Sequence, residues 1–197
     1  LIAIITLGES VVGTIAALQT ALPEEGGWTL QPVLVVAAGL CLTFGVWWSY
    51  FGVDFGRALA ARPSVAGIFT VLHLVILGAI AAMGAGLHVA GAALAHPEEA
   101  SPALAVLFVG VPLLVFYLGF YGLYTVFVPE ADLRHIVLIL ITLALAATGP
   151  LLAWWGVPMG WCLLVVAAAT LPTVVGYEWF GHDHQEQQLR RLERRTR

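Results

Sequence analysis

Six long apolar runs divide this sequence and constrain its fold more than any other feature does. The runs cover residues 1–22, 32–51, 65–92, 103–128, 135–155 and 158–179. Each is close to the roughly 20 residues that an α-helix needs to cross the hydrocarbon of a bilayer. Lipid leaves open backbone polar groups unsatisfied, and the runs are too long for the strands of a membrane barrel. The pattern predicts an all-α, polytopic integral membrane protein, with a bundle of six transmembrane helices over residues 1–180.

The composition excludes soluble and disordered proteins. Hydrophobic residues make up 60% of the 197-residue chain and charged residues 10%, whereas soluble domains average about 45–50% and about 25%. Disordered chains need low hydrophobicity and high charge. All eight basic residues are arginine, and they form no stripe long enough to bind nucleic acid. Cys41 and Cys162 lie inside apolar runs, so we expect two buried small side chains rather than a disulfide or a metal pair.

The positions of the arginines predict the orientation in the membrane. Arg57 and Arg62 follow the second run, Arg134 follows the fourth, and the other five lie at residues 181–197. If all six runs span the membrane, every arginine falls on one side, which the positive-inside rule makes cytoplasmic. We therefore expect a multi-pass protein of the cytoplasmic (inner) membrane with a cytoplasmic C-terminus. Its Arg-rich tail, residues 181–197, suits anionic lipid headgroups.

An acidic residue inside the first run is the strongest functional candidate. Glu9 has apolar sequence on both sides, and a charge at the bilayer centre costs about 2.5–3.5 kcal/mol on insertion scales. A helical wheel places Glu9 with Thr6, Ser10 and Gly13 on a small and polar face, which we expect to turn towards the bundle. Intramembrane acids are functional hypotheses by default. Structural polar contacts between helices, worth about 0.6 kcal/mol each, are the alternative.

Two histidines inside the third run are the next candidates for a functional role. His73 lies about eight residues into its run, so Glu9 and His73 are both expected about 12 Å deep. Such a pair could exchange a proton near neutral pH, which is how a proton-coupled site is built. His73 could equally be a structural polar residue. His88 lies closer to the outer end of the same run and could reach water, so it ranks below His73.

Two further groups of polar residues are secondary candidates. Tyr117, Tyr121 and Tyr124 follow the i, i+4, i+7 spacing of one helix face. Their hydroxyls could line a polar path or bond to buried carbonyls. Asp54 precedes Arg57 by three residues at the predicted inner boundary, and the two are expected to pair locally or to anchor the helix end.

No catalytic or cofactor motif is found in the sequence. It contains no G-x-S-x-G, H-E-x-x-H, P-loop or G-x-G-x-x-G motif. We therefore expect no enzymatic activity, no cofactor and no metal site.

Three short motifs resemble one family. They are IITLGESVV at residues 4–12, WWSYF at residues 47–51 and HLVILG at residues 73–78. Their order and spacing resemble the C-terminal half of the bacterial low temperature requirement A (LtrA) family. The family positions that map onto this chain are Gly8, Glu9, Trp47, Trp48, Tyr50, Phe51 and His73.

The resemblance also carries expectations about the whole protein. It implies a larger, duplicated polytopic protein whose missing N-terminal half carries an acidic residue in an earlier helix. In one respect the sequence departs from the family. Members often have an acidic residue directly after the W-W-x-Y-F motif, whereas here Gly52 follows and Asp54 comes later.

The predicted function is transport or permeation of a small solute or ion, with proton coupling through an intramembrane Glu and His. The proposed site residues are Glu9, His73, Thr6, Ser10 and Tyr117, with His88, Asp54 and Tyr121 as secondary candidates. The alternative is a non-transport scaffold or sensor in low-temperature or envelope physiology, and a lipid-modifying enzyme ranks third. The expected partners are the lipid bilayer, a small ion or solute and the missing N-terminal half, and a homo-oligomer stays open.

Overall fold

Eight α-helices make up the described part of the chain. The computed structural model describes residues 2–21, 29–98, 100–127, 133–176 and 178, so the Arg-rich tail lies outside it. The helices are α1 (Ile2–Ala21), α2 (Leu30–Gly52), α3 (Phe55–Ala61), α4 (Ala66–Ala95), α5 (Pro102–Phe127), α6 (Leu133–Trp154), α7 (Met159–Ala168) and α8 (Leu171–Gly176). A 3-10 turn, Pro63–Val65, joins α3 to α4. The described ranges contain no strand.

Six spans are long and apolar enough to cross a membrane. They are Ile2–Thr20, Leu30–Ala61, Pro63–Ala95, Pro102–Phe127, Ile136–Trp154 and Met159–Gly176. Large apolar side chains, such as Phe44, Leu74 and Leu118, are exposed around the outside of the bundle, which is the arrangement expected of a protein solvated by lipid. The prediction of an all-α bundle with six transmembrane helices is confirmed.

The sixth predicted span is divided into two helices. α7 ends at Ala168 and α8 begins at Leu171. Pro172 has no N–H to continue the hydrogen-bond ladder, and the amides of Ala169 and Thr170 bond only three residues back, at 3.1 and 3.0 Å. The Thr170 hydroxyl adds a 2.9 Å bond to the carbonyl of Ala167. The last turn of α7 therefore tightens, and the chain leaves the helix for two residues.

The link after the second span contains a short helix. Asp54 begins α3 by accepting the Arg57 backbone N–H at 3.0 Å, which is the usual role of an N-cap residue. Arg62 ends α3 and donates from its guanidinium to the carbonyl of Val126 at 2.8 Å. That bond ties the link to the end of α5. Asp54 thus has a local structural role, and we call this end of the bundle the Arg62 end.

α4 packs most extensively against α5 on one side and α1 on the other. Glycines bring the helices close together: Gly84 and Gly91 contact the α1 backbone at Glu9 and Ala17, and Gly86 contacts the α5 carbonyl of Phe108. Small residues at such contacts let helix backbones approach in a membrane. The position of α1 on α4 is therefore set by backbone contact.

The two cysteines differ in exposure. Cys162 is buried, whereas Cys41 is exposed on the outside of α2. The prediction that both are buried is wrong for Cys41. The second run is apolar on all sides, so its sequence contains no polar stripe that would distinguish the lipid-facing positions from the core.

Candidate functional site

Glu9 lies on α1 at the margin of the buried face. Ser10, Gly13 and Ala17 are buried against the bundle, whereas the Glu9 side chain is exposed. Successive helical residues are about 100° apart, so a buried face centred on Ser10 leaves Glu9 at its edge. The expectation that Glu9 faces inwards is wrong, because the glycine contacts with α4 turn the helix.

The packing of α1 on α4 also sets the level of Glu9. A Cβ atom added to Gly84 would lie 2.7 Å from the carbonyl carbon and oxygen of Glu9. Glu9 is therefore level with Gly84, eleven residues and about 16 Å beyond His73 along α4. The two residues do not meet. The prediction of equal depth was made by counting residues from the start of each helix. It is wrong because α1 and α4 begin at different levels in the bundle.

His88 is the described histidine nearest in level to Glu9. Residues four apart share a helix face. Glu9 therefore lies on the same face of α1 as Gly13, and His88 lies on the same face of α4 as Gly84. Gly13 contacts Gly84, and Glu9 and His88 are both exposed. They therefore border the same outer furrow between α1 and α4. Within the described part of the chain, neither side chain has a hydrogen-bond or ion-pair partner.

His73 belongs to a separate cluster at the Arg62 end. Its Nε2 atom lies 2.7 Å from the Tyr50 hydroxyl. The ring stacks on Phe69, with centroids 4.8 Å apart, and meets the edge of Phe55 at 6.5 Å. The Nδ1 atom is buried and has no hydrogen-bond partner among the described residues. Tyr50, which lies in the WWSYF motif, is the partner that sequence reasoning missed.

Hydroxyl groups inside the bundle join α5 to α2, α6 and α8. The Tyr117 hydroxyl is 3.2 Å from Ser49 Oγ. The Tyr121 hydroxyl is 3.2 Å from Thr142 Oγ1 and 2.5 Å from Thr173 Oγ1. The tyrosine rings stack with centroids 5.6 Å apart. Both tyrosines are thus placed in contacts between helices, and neither hydroxyl bonds to a carbonyl of a described residue.

The polar residues of α1 differ in their partners. The Thr6 hydroxyl donates to the carbonyl of Ile2 at 2.9 Å, and the Thr14 hydroxyl donates to the carbonyl of Ser10 at 2.8 Å. Ser10 Oγ is buried and has no partner among the described residues. Thr6 is therefore occupied locally, while Ser10 keeps an unused hydroxyl beside the Gly84 contact.

The structure thus divides the predicted site residues into three groups. Glu9 and His88 border the α1–α4 furrow, His73 bonds to Tyr50, and the two tyrosines join α5 to α2, α6 and α8. Ser49, Thr142 and Thr173 were not predicted, because single hydroxyl residues on separate runs give no spacing signal. No group of three or more His, Cys, Asp or Glu residues is found in the described ranges.

Comparison with known proteins identifies the family. The model of the bacterial low temperature requirement A protein (LtrA) family matches residues 1–170, well beyond the three motifs, which end at residue 78. No curated protein and no solved structure matches this chain. The match covers most of the sequence and all three motifs. The chain therefore belongs to the bacterial LtrA family, and it is a multi-helix membrane protein.

Proposed function

We propose that this protein moves a small ion or solute across the bacterial cytoplasmic membrane, with Glu9 as a proton or cation site. One observation carries the proposal. The Glu9 carboxylate lies within a membrane-spanning helix, has no partner among the described residues and borders a furrow with an equally unpartnered His88. The bilayer is the expected solvent of the protein, and a small ion is its expected ligand.

The cost of placing Glu9 there supports a functional role. A charged side chain at the bilayer centre costs about 2.5–3.5 kcal/mol on insertion scales, and such residues usually mark ion or proton pathways. A structural residue would recover part of that cost through a hydrogen bond. Within the described ranges Glu9 makes none, so its role depends on a ligand or surface beyond those residues.

His88 is suited to connect Glu9 with water. It lies seven residues before the end of α4 at Ala95, or about 10 Å, whereas the level of Glu9 is about 16 Å from that end. Imidazole can accept a proton on one nitrogen and donate one from the other. We assign His88 the role of a relay between the membrane surface and Glu9.

His73 and the buried tyrosines take a supporting role in this proposal. Tyr50 already occupies Nε2 of His73, and the Tyr117 and Tyr121 hydroxyls bond to neighbouring helices. Contacts of this kind stabilise helix bundles in membranes. We propose that these residues hold the bundle that positions α1 and α4.

Flux through liposomes that contain the purified full protein tests the assignment. We expect Glu9→Gln to reduce proton or cation flux at least tenfold, and His88→Gln to slow it less. The matched controls are Glu98→Gln and His96→Gln, because both side chains are exposed beyond the end of α4. These controls should keep wild-type flux. Wild-type flux in Glu9→Gln would refute the role of Glu9.

A wild-type protein without flux would favour the other function. If several ions and pH gradients produce no flux, a scaffold or sensor becomes the better description. Glu9→Gln would then change only the thermal stability of the protein. Glu9→Gln keeps the size of the side chain, so we expect the variant to fold. The same melting curve checks that it does.

A further inference from the structure

We infer that a second copy of this chain packs on the face formed by α1 and α4, and that Glu9 of each copy meets His88 of the other. The inference rests on the proposed function, because it names what completes the Glu9 site. It concerns an interface within the membrane, between two identical surfaces.

The face has the surface that close helix packing needs. Gly78, Ala82 and Ala85 are exposed along α4, and small residues in such a row let a second helix approach closely. Gly84 and Gly91 are explained by their contacts with α1, whereas nothing lies within 4 Å of a Cβ atom added to Gly78. Glycine inside a helix is less stable than alanine, and no contact within one chain accounts for a glycine at residue 78. Close contact with a partner helix would account for it.

Charge complementarity identifies the partner as a second copy. A two-fold interface buries the same patch of both subunits, so the patch must be complementary to itself. A two-fold axis along the membrane normal keeps each residue at its own depth. The face formed by α1 and α4 contains one acid, Glu9, and one histidine, His88. The two residues differ in level by one helical turn. Two copies can therefore form two Glu9–His88 contacts.

The other long faces lack this property. α2 and α5 contain no Asp, Glu or His, and α6 contains no Asp or Glu. Their exposed side chains, such as Phe44 and Leu118, are apolar and suit lipid. α1 and α4, by contrast, are held together at Gly13 and Gly84, so the spacing of the two ionisable groups is fixed before a partner binds.

Disulfide cross-linking of the full protein in native membranes tests the inference. With native cysteines replaced, Ile5→Cys on α1 and Ala85→Cys on α4 should each form a cross-linked dimer on oxidation. Leu118→Cys and Leu140→Cys, exposed on α5 and α6, serve as controls. We expect at least fivefold more dimer at the two α1–α4 positions than at the controls.

Two results would overturn the inference. One is cross-linking at Ile5→Cys and Ala85→Cys that does not exceed the controls, combined with a monomer mass in nanodiscs. The other is a cross-linked product with the mass of a different membrane protein. A second test is the weakening of the dimer by Glu9→Gln or His88→Gln, with at least a threefold loss of cross-linked product.

The outcomes separate the interface from the transport function. Glu9-dependent flux without a dimer would remove the inference and leave the proposed function in place. A dimer without any flux would support the interface and remove the transport proposal. Flux that returns when Glu9→Gln and His88→Gln chains are mixed would support both, because the mixed dimer regains one Glu9–His88 contact.

Discussion

Tyr121 carries the hydroxyl that joins three helices. It lies on α5 and bonds to Thr142 on α6 and to Thr173 on α8. Thr142 and Thr173 are themselves 3.4 Å apart. Lipid offers a hydroxyl no alternative partner, so these bonds favour the assembled bundle. Their value is modest, since helix contacts of this kind average about 0.6 kcal/mol in a membrane.

Removal of that hydroxyl should destabilise the bundle measurably. We expect Tyr121→Phe to lower the free energy of unfolding by about 1 kcal/mol, because two contacts of about 0.6 kcal/mol are lost. Tyr117→Phe loses the 3.2 Å bond to Ser49 and should cost about half as much. Unfolding titrations in mixed micelles give both values, with Leu118→Ala, on the lipid-facing side of α5, as the control. Equal effects at Tyr121 and Tyr117 would contradict the hydrogen-bond assignment.

The types of the candidate residues could be read from the sequence, but their partners could not. Glu9 and His73 stand out because ionisable residues are rare in apolar runs. A helical wheel gives only relative angles between residues of one helix. The absolute rotation and the level of that helix come from its neighbours. For that reason the sequence allows a Glu9–His73 pair that the structure does not form, and it gives no sign of the bond between His73 and Tyr50.

At the scale of the elements, glycine contacts set the position of α1. Gly84 touches the backbone of Glu9, and Gly91 touches Ala17. The bounds of the long helices differ from the predicted runs by at most three residues, as at the end of α4 (Ala95 rather than residue 92). Helix length follows from hydrophobicity, which the sequence displays directly.

The α7–α8 break could not be predicted from the prolines. Pro112 and Pro150 lie inside continuous helices, whereas Pro172 follows a break. At this break the Thr170 hydroxyl bonds back to Ala167, and the Thr170 side chain lies against Gly45 of α2. A side chain at Gly45 would occupy the same space. The break thus coincides with a contact between helices that are far apart in sequence.

Substitution at a contact glycine should separate α1 from α4. In Gly84→Ala the new methyl group would lie 2.7 Å from the Glu9 carbonyl, and we expect a loss of about 1–3 kcal/mol, as for other overpacked sites. Gly67→Ala is the matched control on the same helix, because that position has open space above it. It should be neutral or slightly stabilising. Thermal unfolding in detergent compares the two, and equal melting temperatures would refute the contact.

At the scale of the whole molecule, the bundle has two distinct ends. The Arg62 end contains α3 and the start of α4. At the opposite end Trp154 and Trp155 are 82% and 77% exposed. Tryptophan favours the membrane interface, and arginine favours the cytoplasmic side. We propose that the Arg62 end is cytoplasmic and that the tryptophan end faces outwards.

Cysteine labelling tests this orientation. In a protein without its native cysteines, His96→Cys should react with a membrane-impermeant maleimide added to intact spheroplasts. Ser64→Cys should react only after permeabilisation, because it lies at the other end of α4, about 45 Å away. Both side chains are exposed, so accessibility within the protein is matched. The reverse pattern would show that the bundle is inserted the other way.

The sequence alone was enough to predict the class of protein, the number of spans and the approximate ends of the helices. These properties depend on hydrophobicity summed over about 20 residues, which neighbouring helices do not change. It also determined the family, through motifs whose order is a property of the chain alone.

The packed structure was needed to show which side chains meet. It placed His73 with Tyr50, Tyr121 with Thr142 and Thr173, and Glu9 on the outer furrow near His88. In spans that are apolar on all sides, hydrophobicity does not distinguish the core from the lipid-facing surface. The rotation and level of each helix are then set by close backbone contacts, and these exist only after the helices have packed.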